Sequence, residues 1–220
     1  MGLVTVDFDG TLFKGNSFKI MFQVAKKDFK LREWLVVAIG LVKAIVIGVF
    51  QGKEKFRHAF FKAFAKSFKG KSKEELEHFF IQLVDIGKKE VNYELIHKLR
   101  QHEKDGDTVI VVSGALMPFL TAFTKEVNLS VQVIGTELKY DKNGICNGQI
   151  GTIVNGEVKV NRLKEWIQLH EKEGEIKEIW AYADSESDLP LFNFVQHPIV
   201  VNPKDNMKEI AQKNQWPIFA

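Results

Sequence analysis

Val4-Thr5-Val6-Asp7-Phe8-Asp9-Gly10-Thr11-Leu12 is the stretch on which the reading of the fold turns. It opens as a β-branched, apolar strand and closes in two carboxylates followed by a glycine turn. A buried strand that carries two acids to its carboxyl end places them where open α/β sheets bind their ligands. One Asp there can act as a nucleophile, the acid two positions on can move protons, and the pair can hold a divalent cation. An Asp-Gly pair closing a strand is also an ordinary turn, so the rest of the chain must decide.

Working outward, five apolar strand candidates alternate with helical stretches. The strands are Leu3–Phe8, Thr108–Ser113, Val131–Ile134, Ile176–Ala183 and Pro198–Val201. Helices are expected at Tyr93–Lys104, Pro118–Glu126, Asn161–Lys172, Leu189–Phe194 and Met207–Asn214. Such alternation predicts an α/β fold, a Rossmann-like parallel sheet with helices on both faces. Between Thr136 and Val160, glycines at 144, 148, 151 and 156 punctuate short strands, read as hairpins at the sheet edge.

Residues 15–90 break this pattern. Eleven of the 18 phenylalanines lie there, and Phe56, Phe60, Phe61, Phe64 and Phe68 recur at helical spacing. Gly52, Gly70 and Gly87 are expected to end helices. The division that follows is a catalytic core of residues 1–14 and 91–220, interrupted by an all-helical insertion over 15–90. Within it Trp34–Phe50 is apolar except for Lys43. Its 17 residues fall short of the roughly 20 of a membrane span, and a lysine near the middle of one costs roughly 2.5–3.5 kcal/mol. A helix buried inside the insertion is the simpler expectation. The alternative is peripheral contact with a bilayer, since Lys26, Lys27, Lys30 and Arg32 precede the run and Lys53, Lys55 and Arg57 follow it.

The 220 residues suffice for one α/β domain with an insertion, and the formal net charge is only +3. That charge is uneven: residues 15–90 carry +8 and the remainder −5. The lysines are dispersed among phenylalanines and form no nucleic-acid motif, so nucleic acid is not expected as a partner. A basic face can still draw anionic substrates or an anionic membrane surface. The lone Cys146 excludes an internal disulfide and reads as a small apolar filler in a hairpin. With the first strand starting at residue 3 there is no room for a signal peptide, and a cytoplasmic location, with or without membrane association, is expected. The six histidines show no metal-ligand spacing.

Three further elements fall at the ends of predicted strands. Val111-Val112-Ser113-Gly114 ends a strand in a hydroxyl and a glycine ahead of a helix, where a hydroxyl and amides can bind phosphoryl oxygens. Alone, it reads as a helix N-cap. Gly156-Glu157-Val158-Lys159 precedes the helix expected from Asn161, and its lysine can neutralise an anion. Ala183-Asp184-Ser185-Glu186-Ser187-Asp188 brings two acids four residues apart; with Asp7 they suit Mg²⁺, which takes oxygen ligands. Asp188 could instead only cap the helix that begins Leu189-Pro190.

The ordered set Asp7/Asp9, Ser113, Lys159 and Asp184/Asp188 resembles the haloacid dehalogenase superfamily of phosphohydrolases, with the insertion where that family carries its helical type-1 cap. The resemblance implies that Asp7 is a nucleophile forming an aspartyl-phosphate. Asp9 would protonate the leaving oxygen and later activate water. The carboxylates of Asp7 and Asp184 and the carbonyl of Asp9 would hold Mg²⁺, with Asp188 in support through water or Lys159. Thr11, Ser113, Gly114 and Lys159 would bind the phosphoryl group. An acid at Asp9 is similar to the hydrolysing members, unlike the threonine of the ATP-driven pumps.

Gly156-x-x-Lys159 and the position of the insertion look like the phosphoserine-phosphatase-like branch. Its serine phosphatases carry an acid where this chain has Asn16, and no arginine of the insertion stands out to grip a substrate carboxylate, which argues against phosphoserine as substrate; Ala183 replaces a usual glycine, a small change that leaves the ligands intact. The Gly15-Asn16-Ser17 run and the apolar insertion resemble a bacterial subgroup that includes phosphatidylglycerophosphatase C. The expected function is therefore hydrolysis of a small phosphorylated metabolite, with a lipid phosphate as the alternative. A non-catalytic phosphate- or metal-binding module is the alternative from another class. Asn16, Phe18, Lys19 and Arg57 are candidate specificity residues.

Overall fold

The computed structural model describes residues 2–170 and 176–220, and the side chains of residues 51, 53, 54 and 57 lie outside it. Among the described residues eight strands are formed: β1 (Gly2–Val6), β2 (Thr108–Leu116), β3 (Gln132–Thr136), β4 (Leu138–Tyr140), β5 (Cys146–Ile150), β6 (Glu178–Ala183), β7 (His197–Val201) and β8 (Ile218–Phe219). Six of them make one parallel sheet in the order β3-β2-β1-β6-β7-β8. From β1 the chain runs outward to β2 and β3, then returns to the other side of β1 through β6, β7 and β8. The order reverses between β1 and β6, which is where such sheets open a ligand crevice.

Strand alternation sorts the core onto two faces. Val4, Val6, Val109 and Val111 pack with α5 (Tyr93–Lys104) and α6 (Met117–Glu126) through Leu95, Leu99, Phe119 and Phe123. Leu3, Ile110, Val112 and Ala181 face the other way, onto α7 (Glu157–His170), α8 (Leu189–Phe194) and α9 (Asp205–Lys213). The expected parallel sheet with helices on both faces is thus present. His102, near the end of α5, bridges Asp107 (2.9 Å) and the Tyr182 hydroxyl (3.0 Å) and so ties that helix to β6.

Between β1 and α5 the chain forms α1 (Ser17–Asp28), α2 (Leu31–Gln51), α3 (Lys53–Ser67) and α4 (Lys73–Gly87). Phe60 and Phe64 of α3 and Phe68 at its C-cap follow one another with ring centroids 4.8 and 6.4 Å apart, tilted and edge-on, and meet Phe22, Phe29 and Phe79. This aromatic packing is continuous with the core under α5 and α6. Ser72 and Glu75 cap α4 reciprocally, at 2.7 and 3.2 Å.

Several expectations are corrected. The predicted hairpins do not extend the main sheet. β4 and β5 form their own antiparallel pair, held to the helical segment by Cys146 N–H to the Lys71 carbonyl (2.8 Å) and Gly70 N–H to the Cys146 carbonyl (2.9 Å). Cys146 itself is buried as expected. β2 runs on through Ser113 and Gly114 to Leu116, and β8 was missed because two residues carry no periodicity. The helix predicted from Asn161 begins at Glu157, and its last two predicted residues, 171 and 172, lie outside the described residues. Most consequentially, Trp34–Phe50 does not form a buried helix. α2 is continuous, and only 11% of its most apolar stretch is buried.

Candidate active site

β1 and β6 end side by side, so Asp7 meets Asp184 across the switch point. The turn after β1 is fixed by backbone bonds: Leu12 N–H donates to the Asp7 carbonyl (3.3 Å) and Phe13 N–H to the Phe8 carbonyl (2.9 Å). Gly10 sits in that turn at φ +87°, and a Cβ there would lie 2.2 Å from Asp184 Oδ2. Both the dihedral and the space demand glycine.

Lys159 supplies the counter-charge. It lies in the first turn of α7, not ahead of the helix as predicted, and it is fully buried. Its Nζ donates to Asp7 Oδ1 at 2.6 Å and to Asp188 Oδ1 at 2.5 Å. Burial would lower this amine, but the charges of Asp188 and Asp7 outweigh it and raise its pKa. Asp188 precedes α8 without capping it; its second oxygen accepts from Ser185 Oγ at 2.8 Å. The capping alternative for Asp188 therefore falls.

Asp7, Asp184 and Asp188 each bring one carboxylate oxygen within 4.8 Å of the others. One lysine does not balance three such acids. Burial pushes Asp7 up to about 6, with Lys159 opposing and Asp188 adding repulsion, and burial with the charge of Asp7 pushes Asp184 up to about 7. An all-oxygen donor set with excess negative charge fits a hard divalent cation, which these three residues could hold.

Asp9 points elsewhere. Its two oxygens accept from Ser17 N–H (2.7 Å) and Ser17 Oγ (2.6 Å), at the start of α1. Sequence reasoning missed Ser17. The only signal was its place after Asn16, whose side chain caps α1 by accepting from Phe18 N–H (2.9 Å) and Lys19 N–H (3.4 Å).

These groups line a cavity of about 900 Å³. Its floor is Asp7, Asp9, Asp184, Asp188 and Lys159, with Gly114 and Asn155 beside them. Lys14, Lys19 and Lys204 are exposed around it, a cationic surround suited to drawing in an anion. Phe18, Phe22, Leu41, Phe56 and Phe60 from the helical segment form an apolar wall.

Of the residues expected in the site, Asp7, Asp9, Gly114, Lys159, Asp184, Asp188, Asn16, Phe18 and Lys19 are brought together here. Ser113 and Thr11 are buried and are not among the lining residues. Thr11 Oγ1 donates to Asp184 at 3.4 Å, and Ser113 Oγ accepts from Ala115 N–H at 3.3 Å within β2; α6 begins only at Met117, four residues after Ser113. The side chain of Arg57 lies outside the described residues.

A parallel sheet covered on both faces, with clustered carboxylates at its switch point, defines an α/β enzyme whose site is built from strand tips. The model of the haloacid dehalogenase-like hydrolase family matches residues 4–193, and the chain belongs to that family. A histidinol-phosphatase of Neisseria meningitidis serogroup C is 29% identical over 126 residues, 55% of either chain. The chain thus matches about half the length of this curated relative. In three dimensions it resembles a protein of unknown function from Bordetella pertussis Tohama I (TM-score 0.80, 22% identity, 99% of this chain and 97% of that one). It also resembles a phosphoserine phosphatase solved as a phospho-aspartyl intermediate analogue (TM-score 0.60, 16% identity, 99% and 91%). At these identities the two structures speak for the fold alone.

Proposed function

We propose that the protein is a Mg²⁺-dependent phosphomonoester hydrolase that works through an aspartyl-phosphate on Asp7. The observation that carries this reading is the Asp7 carboxylate, held at 2.6 Å by a buried lysine, on the floor of an open cavity beside Asp184 and Asp188.

Asp7 attacks the phosphorus of the bound monoester, and the bond from phosphorus to the leaving oxygen breaks. Asp9, protonated at that point, gives its proton to the leaving oxygen, which departs as the alcohol. The Asp9 carboxylate then takes a proton from water while the water oxygen attacks phosphorus. The bond from phosphorus to Asp7 breaks, releasing inorganic phosphate and restoring both acids. Lys159 keeps Asp7 anionic and aimed, and neutralises charge on the transferring group together with the Gly114 and Asn155 region. Asp7, Asp184 and Asp188 would hold Mg²⁺, which would supply further charge neutralisation when bound. Ser17 holds Asp9 in register. In this reading residues 15–90 are a cap over a core of residues 1–14 and 91–220.

The test is hydrolysis of p-nitrophenyl phosphate with Mg²⁺, set against Asp7→Asn and against chelator. Turnover that needs the metal and vanishes in Asp7→Asn is expected; equal rates for the two proteins would remove the nucleophile.

The cationic surround and the cavity volume suit a small phosphorylated metabolite. A second reading, a phosphate ester with an apolar tail such as a lipid phosphate, is favoured by the wall of Phe18, Phe22, Leu41, Phe56 and Phe60. Comparing kcat/KM for short and long alkyl phosphates separates the two.

A further inference from the structure

We propose that the outward face of α2 docks this protein on an anionic lipid bilayer, with the helix lying in the headgroup layer and not crossing it.

At ~100° per residue, Leu35, Ile39, Val42, Ile45, Val46 and Val49 fall in one stripe roughly 120° wide. All six are exposed, from 52% at Val46 to 76% at Val49. A soluble protein rarely leaves so long an apolar surface bare. The opposite face is already committed. Val37 and Ala44 are buried, and Gly40 lies so close to α3 that a Cβ there would come 2.2 Å from that of Ala63. α2 is therefore locked side-on to a helix that opens Lys53-Glu54-Lys55-Phe56-Arg57, and lipid cannot surround it. Partial immersion suits such a helix and spanning does not.

Charge identifies the covering surface. Residues 26–57 hold eight basic and three acidic side chains, all but Lys43 gathered at the two ends of the apolar stripe. Lys26, Lys27, Lys30 and Arg32 are exposed before it and Lys55 after it, while Lys43 sits at its margin where its amine can reach headgroups. A second copy of the chain is disfavoured, because a two-fold contact about the middle of α2 would bring Lys43 toward its own symmetry mate. Anionic headgroups complement both the ends and the margin. Leu41, on the inner side, contributes to the cavity wall, so docking holds the cavity roughly 10 Å, one helix diameter, from the lipid.

The test is flotation of the intact protein with vesicles of phosphatidylcholine alone and of phosphatidylcholine mixed with phosphatidylglycerol. The wild type is expected to float with the mixed vesicles at least ~10-fold more than with the neutral ones, and less as salt rises. Leu35→Glu/Val42→Glu/Val49→Glu should abolish flotation while p-nitrophenyl phosphate turnover and the far-UV spectrum stay as in wild type. Lys27→Glu/Lys30→Glu/Lys43→Glu, which leaves the stripe intact, should lose the preference for anionic vesicles and decides the matter if the first variant misfolds. Absence of flotation, flotation that survives both variants, or a concentration-dependent dimer abolished by the first variant would each overturn the proposal. Flotation needs no turnover, so a protein that floats without hydrolysing phosphate would sink the phosphatase reading alone.

Discussion

At the carboxyl ends of β1 and β6, charged groups are buried and packed against one another. Along α2, apolar groups stand in water. In the first region Lys159, Asp7 and Asp188 are almost wholly enclosed, which is costly for isolated charges and tolerable only because they pair. In the second, Val49 and Leu31 are each 76% exposed. Both depart from the usual rule of apolar inside and charged outside. The first departure is compensated within the molecule, and the second is left for something outside it. Substitutions should therefore act oppositely in the two regions: severely at the strand tips, and hardly at all on the isolated protein along α2.

The largest effect is expected at Asp7. Asp7→Asn keeps the shape and removes the nucleophile, so kcat on p-nitrophenyl phosphate should fall by ~10³-fold or more, with folding intact. Lys159→Met follows. Removing one partner of a buried pair costs ~3–5 kcal/mol, which at ~2–4 °C per kcal/mol lowers Tm by about 10 °C and leaves Asp7 and Asp188 to repel each other. Calorimetry in chelator reads it; an unchanged Tm would mean that Lys159 does not hold the acids as described. Gly10→Ala comes next, because its Cβ would meet Asp184 in a backbone region costing ~1–3 kcal/mol for other residues, and turnover and Tm should fall together.

The same contrast explains what could be read from sequence. Asp7, Asp9 and Asp184 were legible because they stand where a buried apolar strand run stops, and Asp188 because it follows Asp184 by four residues. Lys159 was picked out but placed on the wrong side of a helix start, since Gly156 and Asn155 hide where the first turn begins. Ser17 was invisible as a functional residue because its partner Asp9 lies eight residues away across a turn. α2 misled for a different reason. An apolar run states a preference for burial and not whether the chain satisfies it, so Leu35 and Val42 read alike in a core and on a bare surface. The pairing of Cys146 with Lys71 is non-local and left no trace in either segment.

A smaller effect joins pH to the metal. Burial first, and then neighbouring carboxylates, raise Asp7 to about 6 and Asp184 to about 7. The folded protein thus keeps protons that the unfolded chain has released. Their contribution to stability is complete below the ordinary carboxylate range and is lost as pH rises through about 6 and then about 7. Without a cation, Tm should decline across that window. Mg²⁺ binds the ionised acids and should raise Tm more on the alkaline side of it than on the acid side. Thermal melts in chelator and in Mg²⁺ measure this, and a Tm indifferent to Mg²⁺ above the window would break the proposed metal site while leaving the fold untouched.

The smallest effect lies at the seam between the two regions. Asp9 belongs to the strand tips, yet its oxygens are held by Ser17 at the start of α1, so the proton-transfer acid takes its orientation from the helical segment. Ser17→Ala removes the hydroxyl donor at 2.6 Å and keeps the backbone donor at 2.7 Å. Half the grip survives, and the loss in kcat should be ~10-fold, the lower end of what one hydrogen bond to a charged group is worth. Ser17→Thr should restore most of it, and neither change should move Tm by more than a few degrees. The deficit should be smaller for p-nitrophenyl phosphate, whose leaving group needs little protonation, than for an alkyl phosphate, whose alkoxide needs the Asp9 proton. Equal deficits on both esters would show that Ser17 supports only the fold of α1, and the seam would then carry no chemistry.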